Sequence, residues 1–349
     1  MRILHSSDLH LSEHKPETID ALAEILNLAK DLSVDVLTLS GDIFDSPEDA
    51  EVLRPRLRRM FSGNNFKIIA IPGNHDFDAY RANLDFGSDL YVVVKAPFEV
   101  LDLGDANIVA LPYTSSCDER LLSRLKEASN CDKCSVLLVH CTLDIGFSFE
   151  DFGEDEGYSY FPISKSILSV LSFDYVLAGH FHKTTTRISL GNKGEFVYPG
   201  SPVSLSTKET GRRNVVFVDT VNGACKPVPL KSFYYDELDI TVTPGKEDHA
   251  IKSIEEWVRK RLDDNCSLKI VVKGFIERDE TTFRNEIKNV AGKAVVDHEY
   301  KNVKHVLGHP LYLMFKKKLM EKDIENKDEV EERVIEAFSI LISSGDLRD

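Results

Sequence analysis

Short runs of apolar residues that end in Asp, Asn or His recur along the first half of the chain. One run, 66–71, has the length of a buried strand, and a Pro-Gly turn followed by Asn74, His75 and Asp76 comes directly after it. Four more runs precede Asp8 and His10, Asp42 and Asp45, His140, and His180 and His182. Because open α/β sheets place their ligands at the carboxyl ends of their strands, this pattern predicts a metal site assembled from strand ends.

The segments between these runs have the period of amphipathic helices, for example at 16–32 and 47–61. Further short strands, separated by Gly-Asn and Pro-Gly turns, predict an α/β fold of two packed sheets flanked by helices over residues 1–232. A strand–helix–strand–helix–strand pattern then predicts a small α/β domain at 233–305. The remaining residues, 306–349, are predicted to form a helical segment that either packs on its own protein or binds a partner.

The charge of the chain limits what it can bind. Its 349 residues have a net charge of −15, so contact with nucleic acid would depend on local basic patches or bound cations. No apolar run approaches the roughly 20 residues of a membrane span, and the amino terminus lacks a signal-peptide pattern, so we expect a cytoplasmic protein without membrane contact. The six cysteines are scattered, and Cys131 and Cys134 lack the second pair that a structural zinc site requires.

The polar residues at the strand ends are donors of oxygen and nitrogen to a metal. Asp42 has two carboxylate oxygens and could bridge two cations, while Asn74 offers an amide oxygen. Two such sites roughly 3.5–4 Å apart would hold both the attacking and the leaving oxygen of a phosphoester. This mixture of ligands suits Mn, Fe, Zn or Co better than Ca or Mg. A single histidine at a strand end is usually a core residue, but five polar strand ends in one chain make that interpretation improbable.

Taken in order, these residues resemble the pattern of the calcineurin-like metallophosphoesterases. The matching motifs are Asp8-x-His10, Gly41-Asp42-x-x-Asp45, Gly73-Asn74-His75-Asp76, His140 and Gly179-His180-x-His182. The resemblance implies a two-sheet sandwich and two metal sites, one formed by Asp8, His10, Asp42 and His182 and the other by Asp42, Asn74, His140 and His180. It further implies that His75 contacts the scissile phosphate and protonates the leaving oxygen, and that Asp76 orients His75.

Within that superfamily, the chain is similar to the SbcD-type DNA repair nucleases, which include the meiotic-recombination nuclease. The features that carry this likeness are the opening 1–11, the Pro-Gly-Ser loop at 198–202 and the small domain, which would be a capping domain. The resemblance implies a homodimeric enzyme with two Mn²⁺ ions that cuts DNA, as an exonuclease, an endonuclease or both, in double-strand break repair. Its partner would be an SMC-like ABC-type ATPase bound through the C-terminal helices. Many members have His at the position of Asp45, so this chain departs there from the residue that would contact phosphate.

Two charged regions have opposite implications for DNA. The segment 144–161 alternates acidic and aromatic residues, and is interpreted either as a solvated loop or as a lid whose aromatic rings stack on bases. The bases near the last histidines are predicted to face phosphates: Lys183, Lys208, Arg212 and Arg213.

Three functions therefore stay open at the level of sequence. The Pro-Gly-Ser loop and the small domain favour the DNA nuclease. The net charge and the acidic segment favour a metallophosphodiesterase that acts on a small molecule. A non-catalytic scaffold protein is the third, and the presence of every matched ligand disfavours it.

Overall fold

The computed structural model describes residues 1–80, 85–114, 117–144, 161–191, 194–262 and 264–344. The chain divides into two compact units, Met1–Tyr235 and Asp236–Asp349. The predicted further division at residue 305 stays a prediction. Residues 145–160, which make up most of the acidic and aromatic segment, lie outside the described residues.

Two six-stranded sheets form the described core of the first unit. The strands of the first sheet are β1 (Arg2–Ser6), β2 (Val36–Ser40), β3 (Lys67–Ile71), β4 (Leu90–Val92), β13 (Asn214–Asp219) and β14 (Ala224–Pro229). Their order is β14-β13-β1-β2-β3-β4, and β1 to β4 are parallel. The predicted strand-end loops after β1, β2 and β3 therefore emerge at one edge of this sheet.

The second sheet contributes the remaining two predicted strand ends. Its strands are β5 (Glu99–Asp102), β6 (Ala106–Ala110), β7 (Cys134–His140), β10 (Tyr175–Gly179), β11 (Thr186–Ser189) and β12 (Glu195–Tyr198). They lie in the order β11-β12-β10-β7-β6-β5, with β6, β7, β10 and β12 parallel. A two-stranded ladder follows β7, formed by β8 (Thr142–Asp144) and β9 (Pro162–Ser164).

Helices cover the outer faces of both sheets. The first sheet packs against α1 (Pro16–Asp31) and α2 (Pro47–Met60), and the second against α3 (Glu119–Ser129) and α4 (Lys165–Val170). Both α1 and α2 begin with proline. Proline lacks an N–H, and no helical hydrogen bond is lost because N–H groups in the first turn have no partner within the helix. The Ser46 hydroxyl caps α2 by accepting from the Asp49 N–H. Between the sheets, apolar side chains from both form a shared core, including Ile3, Val36, Ile71, Ile108, Leu138 and Leu177. The predicted two-sheet α/β sandwich is confirmed.

The second unit is built on a three-stranded sheet. Its elements are β15 (Tyr234–Val242), α5 (Glu247–Arg259), β16 (Cys266–Ile276), α6 (Glu280–Ala291) and β17 (Val295–Asn302). One face of this sheet packs against α5 and α6 around residues such as Ile254, Ile270 and Phe283. Three more helices follow: α7 (Lys304–Leu307), α8 (Pro310–Glu321) and α9 (Lys327–Ser344). Among the described helices, none has both the length and the apolar character needed to span a bilayer.

The pattern analysis missed β14. This strand contains Pro227 and Pro229, which remove backbone donors and indicate a loop. Its position at the edge of the first sheet resolves the conflict, because only one side of an edge strand has to pair and proline is tolerated there.

Candidate metal centre

The polar residues at the strand ends lie together, at the edge where the parallel strands of both sheets finish. The loops after β1, β2 and β3 meet the ends of β7 and β10 there. The side chains that these elements supply are buried: Asp8, His10, Asp42, His140, His180 and His182. Six ionisable side chains with so little contact with water need compensating partners or bound cations.

The first group of donors consists of Asp8, His10 and His182, whose candidate ligand atoms lie within 4.8 Å of one another. The Nε2 atoms of the two histidines are 3.3 Å apart, and the Nε2 of His182 is 3.7 Å from Oδ1 of Asp8. Two imidazole nitrogens and a carboxylate oxygen thus converge on one small volume.

A second group consists of Asp42, His140 and His180, again with ligand atoms within 4.8 Å of one another. The Nε2 of His140 lies 3.2 Å from Oδ2 of Asp42 and 3.0 Å from Oδ1 of Asn74. The structure therefore brings Asn74 to the second group, as the resemblance implied. The role of Asp42 as a bridge between two cations stays a prediction.

The surroundings of the histidines fit metal ligands. A histidine that binds through Nε2 must carry its proton on Nδ1, and that Nδ1 needs an acceptor. The Nδ1 of His140 is 2.9 Å from the carbonyl oxygen of Ser40, and that of His10 is 3.2 Å from Oδ1 of Asp45. The Nδ1 of His182 is 3.4 Å from Oε1 of Glu209, which is ion-pair range without the alignment of a hydrogen bond. In all three rings, Nε2 is left to face the donor groups.

The backbone at these strand ends is strained. Four residues that are not glycine have positive φ: Asp8 at 52°, His10 at 43°, Asp42 at 49° and His180 at 103°. Such conformations cost of order 1–3 kcal/mol each and persist only where the surroundings enforce them. Here the Asp8 N–H donates to the Gly41 carbonyl, and the His180 N–H donates to Oδ1 of Asp8. The strain aims the side chains inward, which is typical of functional sites.

Three glycines let the strand ends approach closely. A Cβ on Gly41 would lie 2.3 Å from Nδ1 of His140, and one on Gly73 would lie 2.1 Å from Oδ1 of Asp42. A Cβ on Gly179 would lie 2.0 Å from the carbonyl oxygen of Ser40. Any larger residue at these positions would displace the donor groups.

The buried side chains of Asp42 and His140 shift each other's pKa. Burial opposes ionisation of Asp42, but the positive charge and hydrogen bond of His140 hold the pKa of that carboxyl well below its usual range. Burial likewise lowers the pKa of His140, but the Asp42 charge outweighs it and raises this pKa to about 10. The Asp42 charge therefore favours the protonated imidazole of His140 when no cation is bound, and a metal that binds Nε2 must displace that proton.

His75 and Asp76 follow β3 directly. The ring of His75 is half-buried with its centroid 4.9 Å from that of His10, and its backbone N–H donates to Oδ1 of Asp42. The buried carboxylate of Asp76 accepts from the N–H groups of Gly73 and Ile43, at 2.7 and 2.8 Å. It thereby joins the loops that follow β2 and β3. The implied role of Asp76 in orienting His75 stays a prediction.

The four basic residues that are predicted to contact DNA differ in their exposure to solvent. Lys208 and Arg212 are exposed and Lys183 is half-buried. The prediction for Arg213 is wrong, because its side chain is only 1% exposed. Its guanidinium donates to the carbonyl oxygens of Glu209 and Lys183, so it stabilises the interior.

Sequence reasoning also missed two carboxylates. The sequence pattern assigns no role to Glu209 and indicates none for Asp45 beyond its place at a strand end, whereas both carboxylates lie against Nδ1 atoms of histidines in the first group. No local spacing indicates the role of Glu209, since it reaches His182 from a loop after β12. Asp45 had a weak signal, because it follows Asp42 by three residues at the same strand end.

Comparisons with known proteins agree with this geometry. The family model described as calcineurin-like phosphoesterase matches residues 1–184. The SbcD component of the SbcCD nuclease of Bacillus subtilis is 35% identical over 324 residues, which cover 78% of this chain and 79% of that protein.

Two other relatives match over a shorter part. The DNA double-strand break repair protein Mre11 of Sulfurisphaera tokodaii is 28% identical over 228 residues, 60% of this chain and 55% of that protein. The uncharacterized metallophosphoesterase YhaO of Bacillus subtilis is 24% identical over 244 residues, 64% of this chain and 58% of that protein. The chain thus spans a little more than half the length of these two relatives.

Proposed function

Because this chain belongs to the calcineurin-like phosphoesterase family, and within it to the SbcD and Mre11 type, we propose that it is a dinuclear metal-dependent nuclease that hydrolyses DNA phosphodiesters. The observation that carries the proposal is the pair of buried donor groups at neighbouring strand ends. The similarity to a nuclease subunit over 79% of its length supports a nuclease, and the similarity to a DNA double-strand break repair protein supports DNA as the substrate. On this proposal the enzyme acts in double-strand break repair.

We assign four ligands to each cation, with Asp42 shared. One cation would be held by Asp8, His10, Asp42 and His182, and the other by Asp42, Asn74, His140 and His180. The converging nitrogen and oxygen atoms support this assignment, and so do the acceptor groups that face the Nδ1 atoms of three of the imidazole rings. Mixed imidazole and carboxylate ligands suit Mn, Fe, Zn or Co better than Ca, and the resemblance to the SbcD-type nucleases implies manganese among these, so we propose two Mn²⁺ ions.

When bound, the two cations would supply Lewis-acid activation of the phosphate oxygens and of the attacking water. The chain supplies the geometry. Oδ1 of Asp42 accepts the backbone N–H of His75, which fixes that histidine beside the donor groups. From there the imidazole of His75 can donate a proton to the departing sugar oxygen, a contribution of about 10²- to 10⁴-fold in general acid catalysis.

We infer the binding partners from the SbcD and Mre11 type. DNA would contact Lys183, Lys208 and Arg212, and the protein would act as a homodimer with an SMC-like ABC-type ATPase. The helices α8 and α9 support the ATPase proposal, because they expose several large apolar side chains: Leu311, Leu313, Met314, Met320 and Ile340. Large apolar side chains exposed along a helix are available to bind a partner.

A metallophosphodiesterase that acts on a small molecule is the second candidate. The net charge of −15 favours it, because an acidic protein repels the DNA backbone unless cations or basic patches intervene. The intact donor groups speak against a non-catalytic scaffold.

The test is manganese-dependent hydrolysis of a linear DNA duplex and of bis-p-nitrophenyl phosphate, measured side by side. We expect the wild-type protein to cleave both, and His75→Ala to retain its metals but lose most turnover. His249→Ala, which changes an exposed histidine on α5, is the matched control and should behave as wild type.

The other outcomes separate the candidates. Cleavage of the small ester without cleavage of DNA, unchanged when an SMC-like ATPase is added, would favour the small-molecule enzyme. Cleavage of neither substrate by the metal-loaded protein would refute both. Loss of metal from His75→Ala would show that this residue is a ligand.

A further inference from the structure

Both histidines of the first donor group have a carboxylate next to Nδ1, the ring nitrogen that faces away from the other donors. The Nδ1 of His10 faces Asp45, and the Nδ1 of His182 faces Glu209. In the second group, by contrast, the Nδ1 of His140 faces the backbone carbonyl of Ser40. The Nδ1 atoms of His10 and His182 therefore face side-chain carboxylates, whereas that of His140 faces a backbone carbonyl. Mutation can change the side chains but not the carbonyl.

Glu209 is held in one orientation. Its side chain belongs to a residue that is only 4% exposed. One oxygen, Oε2, accepts from the hydroxyl of Ser201 and from the N–H of Leu205, both at 2.9 Å. The other oxygen, Oε1, is the one that lies 3.4 Å from His182. Since the Leu205 N–H can only donate and holds Oε2, Oε1 is the oxygen that faces the imidazole.

Asp45 is held less firmly. Its Oδ2 accepts from the ammonium group of Lys15 at 3.0 Å, while Oδ1 faces His10. The Lys15 side chain is 39% exposed, so it can move into solvent if its partner changes. Both carboxylates face the Nδ1 of a histidine, but the side chain of Asp45 can reorient more easily than that of Glu209.

We propose that Glu209 and Asp45 are positioning residues for the Asp8–His10–His182 cation site, and that Glu209 fixes the tautomer of His182. This inference rests on the proposed function, because it presumes a cation at that site. A carboxylate behind an imidazole accepts the Nδ1 proton, leaves the lone pair on Nε2 and raises the basicity of the ligand. Removing such a partner typically weakens metal affinity by about 10- to 100-fold.

Glu209→Gln tests the tautomer without removing the side chain. The amide oxygen of the glutamine must take the place of Oε2, because an NH₂ group there would face the backbone N–H of Leu205, which can only donate. Its NH₂ group then faces Nδ1 of His182, which has to accept. That hydrogen bond places the histidine proton on Nε2, where it blocks the cation. We expect one Mn²⁺ to bind about 10- to 100-fold more weakly while the other is retained.

Asp45→Asn should have a smaller effect. When Lys15 withdraws, the amide of the asparagine can turn its oxygen toward Nδ1 of His10 and keep the productive tautomer. We therefore expect a loss of less than about 10-fold, below the range that a lost partner gives.

A purely structural role for Glu209 predicts a different result. The alanine variant loses the bonds to Ser201 and Leu205, so Glu209→Ala should be less stable than Glu209→Gln. If Glu209 only supported the loop, manganese affinity would follow the same order. On our proposal, manganese affinity does not follow stability. In Glu209→Ala, water can accept the Nδ1 proton of His182, so the metal-binding tautomer remains available. Glu209→Gln should therefore bind Mn²⁺ no better than Glu209→Ala, although it is more stable.

The experiment is titration of the full chain with Mn²⁺ in a calorimeter, with urea unfolding of the metal-free protein. Glu195→Gln is the matched control, because Glu195 pairs with Arg187 and has no described contact with the donor groups. Wild-type binding of both ions by Glu209→Gln would overturn the inference, as would affinities that follow stability. If the wild-type protein binds no Mn²⁺, the proposed manganese-dependent function itself fails, and that result is distinguishable from the others.

Discussion

Gly179→Ala should damage the fold and the donor groups together. Gly179 is the last residue of β10 and pairs with His140 at the end of β7. An added Cβ would lie 2.0 Å from the carbonyl oxygen of Ser40 and 2.9 Å from Nδ1 of His140. The two groups that the methyl would strike are the ones whose hydrogen bond orients that histidine.

The magnitude follows from the space available. Ordinary contact of a Cβ begins at 3.4 Å, so the Ser40 carbonyl would have to retreat by more than 1 Å. That carbonyl belongs to the central strand β2, which pairs with β1 and β3 on its two sides, so it cannot move alone. Overpacking of this kind costs typically 1–3 kcal/mol, and we expect about 3 kcal/mol because the obstacle is backbone.

Urea unfolding and manganese titration measure the two consequences separately. Gly104→Ala is the control, because a Cβ on Gly104 meets nothing within 4 Å and only its positive φ of 85° opposes the change. That strain should cost about 1–2 kcal/mol and leave metal binding unaffected. The reasoning would be refuted if Gly179→Ala unfolded like wild type and bound Mn²⁺ with wild-type affinity.

Three further predictions concern the polar groups. Asp42→Ala should remove both cations, because this residue is the proposed shared ligand; elemental analysis that finds one retained ion would contradict the sharing. Asp76→Ala should destabilise the metal-free protein by about 3 kcal/mol in urea, since it leaves the buried N–H groups of Gly73 and Ile43 without their acceptor, and a loss below about 1 kcal/mol would oppose this account. Metal binding should release protons at neutral pH, because the Asp42 charge raises the pKa of His140 to about 10 against the effect of burial, and a ligand nitrogen must be unprotonated. The apparent affinity should therefore fall as the pH is lowered. Calorimetry in buffers of different ionisation enthalpy measures this release, and identical heats in all of them would disprove it.

The strand ends could be predicted from sequence because their signal is local. An apolar run followed by Asp, Asn or His occupies consecutive positions, and parallel strands bring such ends to one edge. The sandwich and the proximity of Asp8, Asp42 and His140 follow from that rule. The missed strand β14 shows its limit, since the tolerance of proline depends on the position of a strand in its sheet and not on its own residues.

The environment of charged residues could not be predicted in the same way. Arg212 and Arg213 are neighbours with the same charge, yet the first is exposed and the second is buried against Glu209. Which of them faces water is decided by the loop before β13, where the guanidinium of Arg213 donates to the carbonyl oxygens of Glu209 and Lys183. The same loop brings Glu209 to His182, a contact between residues that share no motif.

Each donor group joins segments that are synthesised far apart in time. Asp8 and His10 leave the ribosome well before His182 and Glu209, which complete their surroundings only after β10 and the loop beyond β12 have been made. A growing chain therefore has no finished site with which to capture a cation. Metal would load a protein that has already folded, and at a concentration 100 times the dissociation constant each site would add about 2.7 kcal/mol to its stability. On the proposed function, metal starvation would thus leave a reserve of folded, inactive molecules that recover without new synthesis.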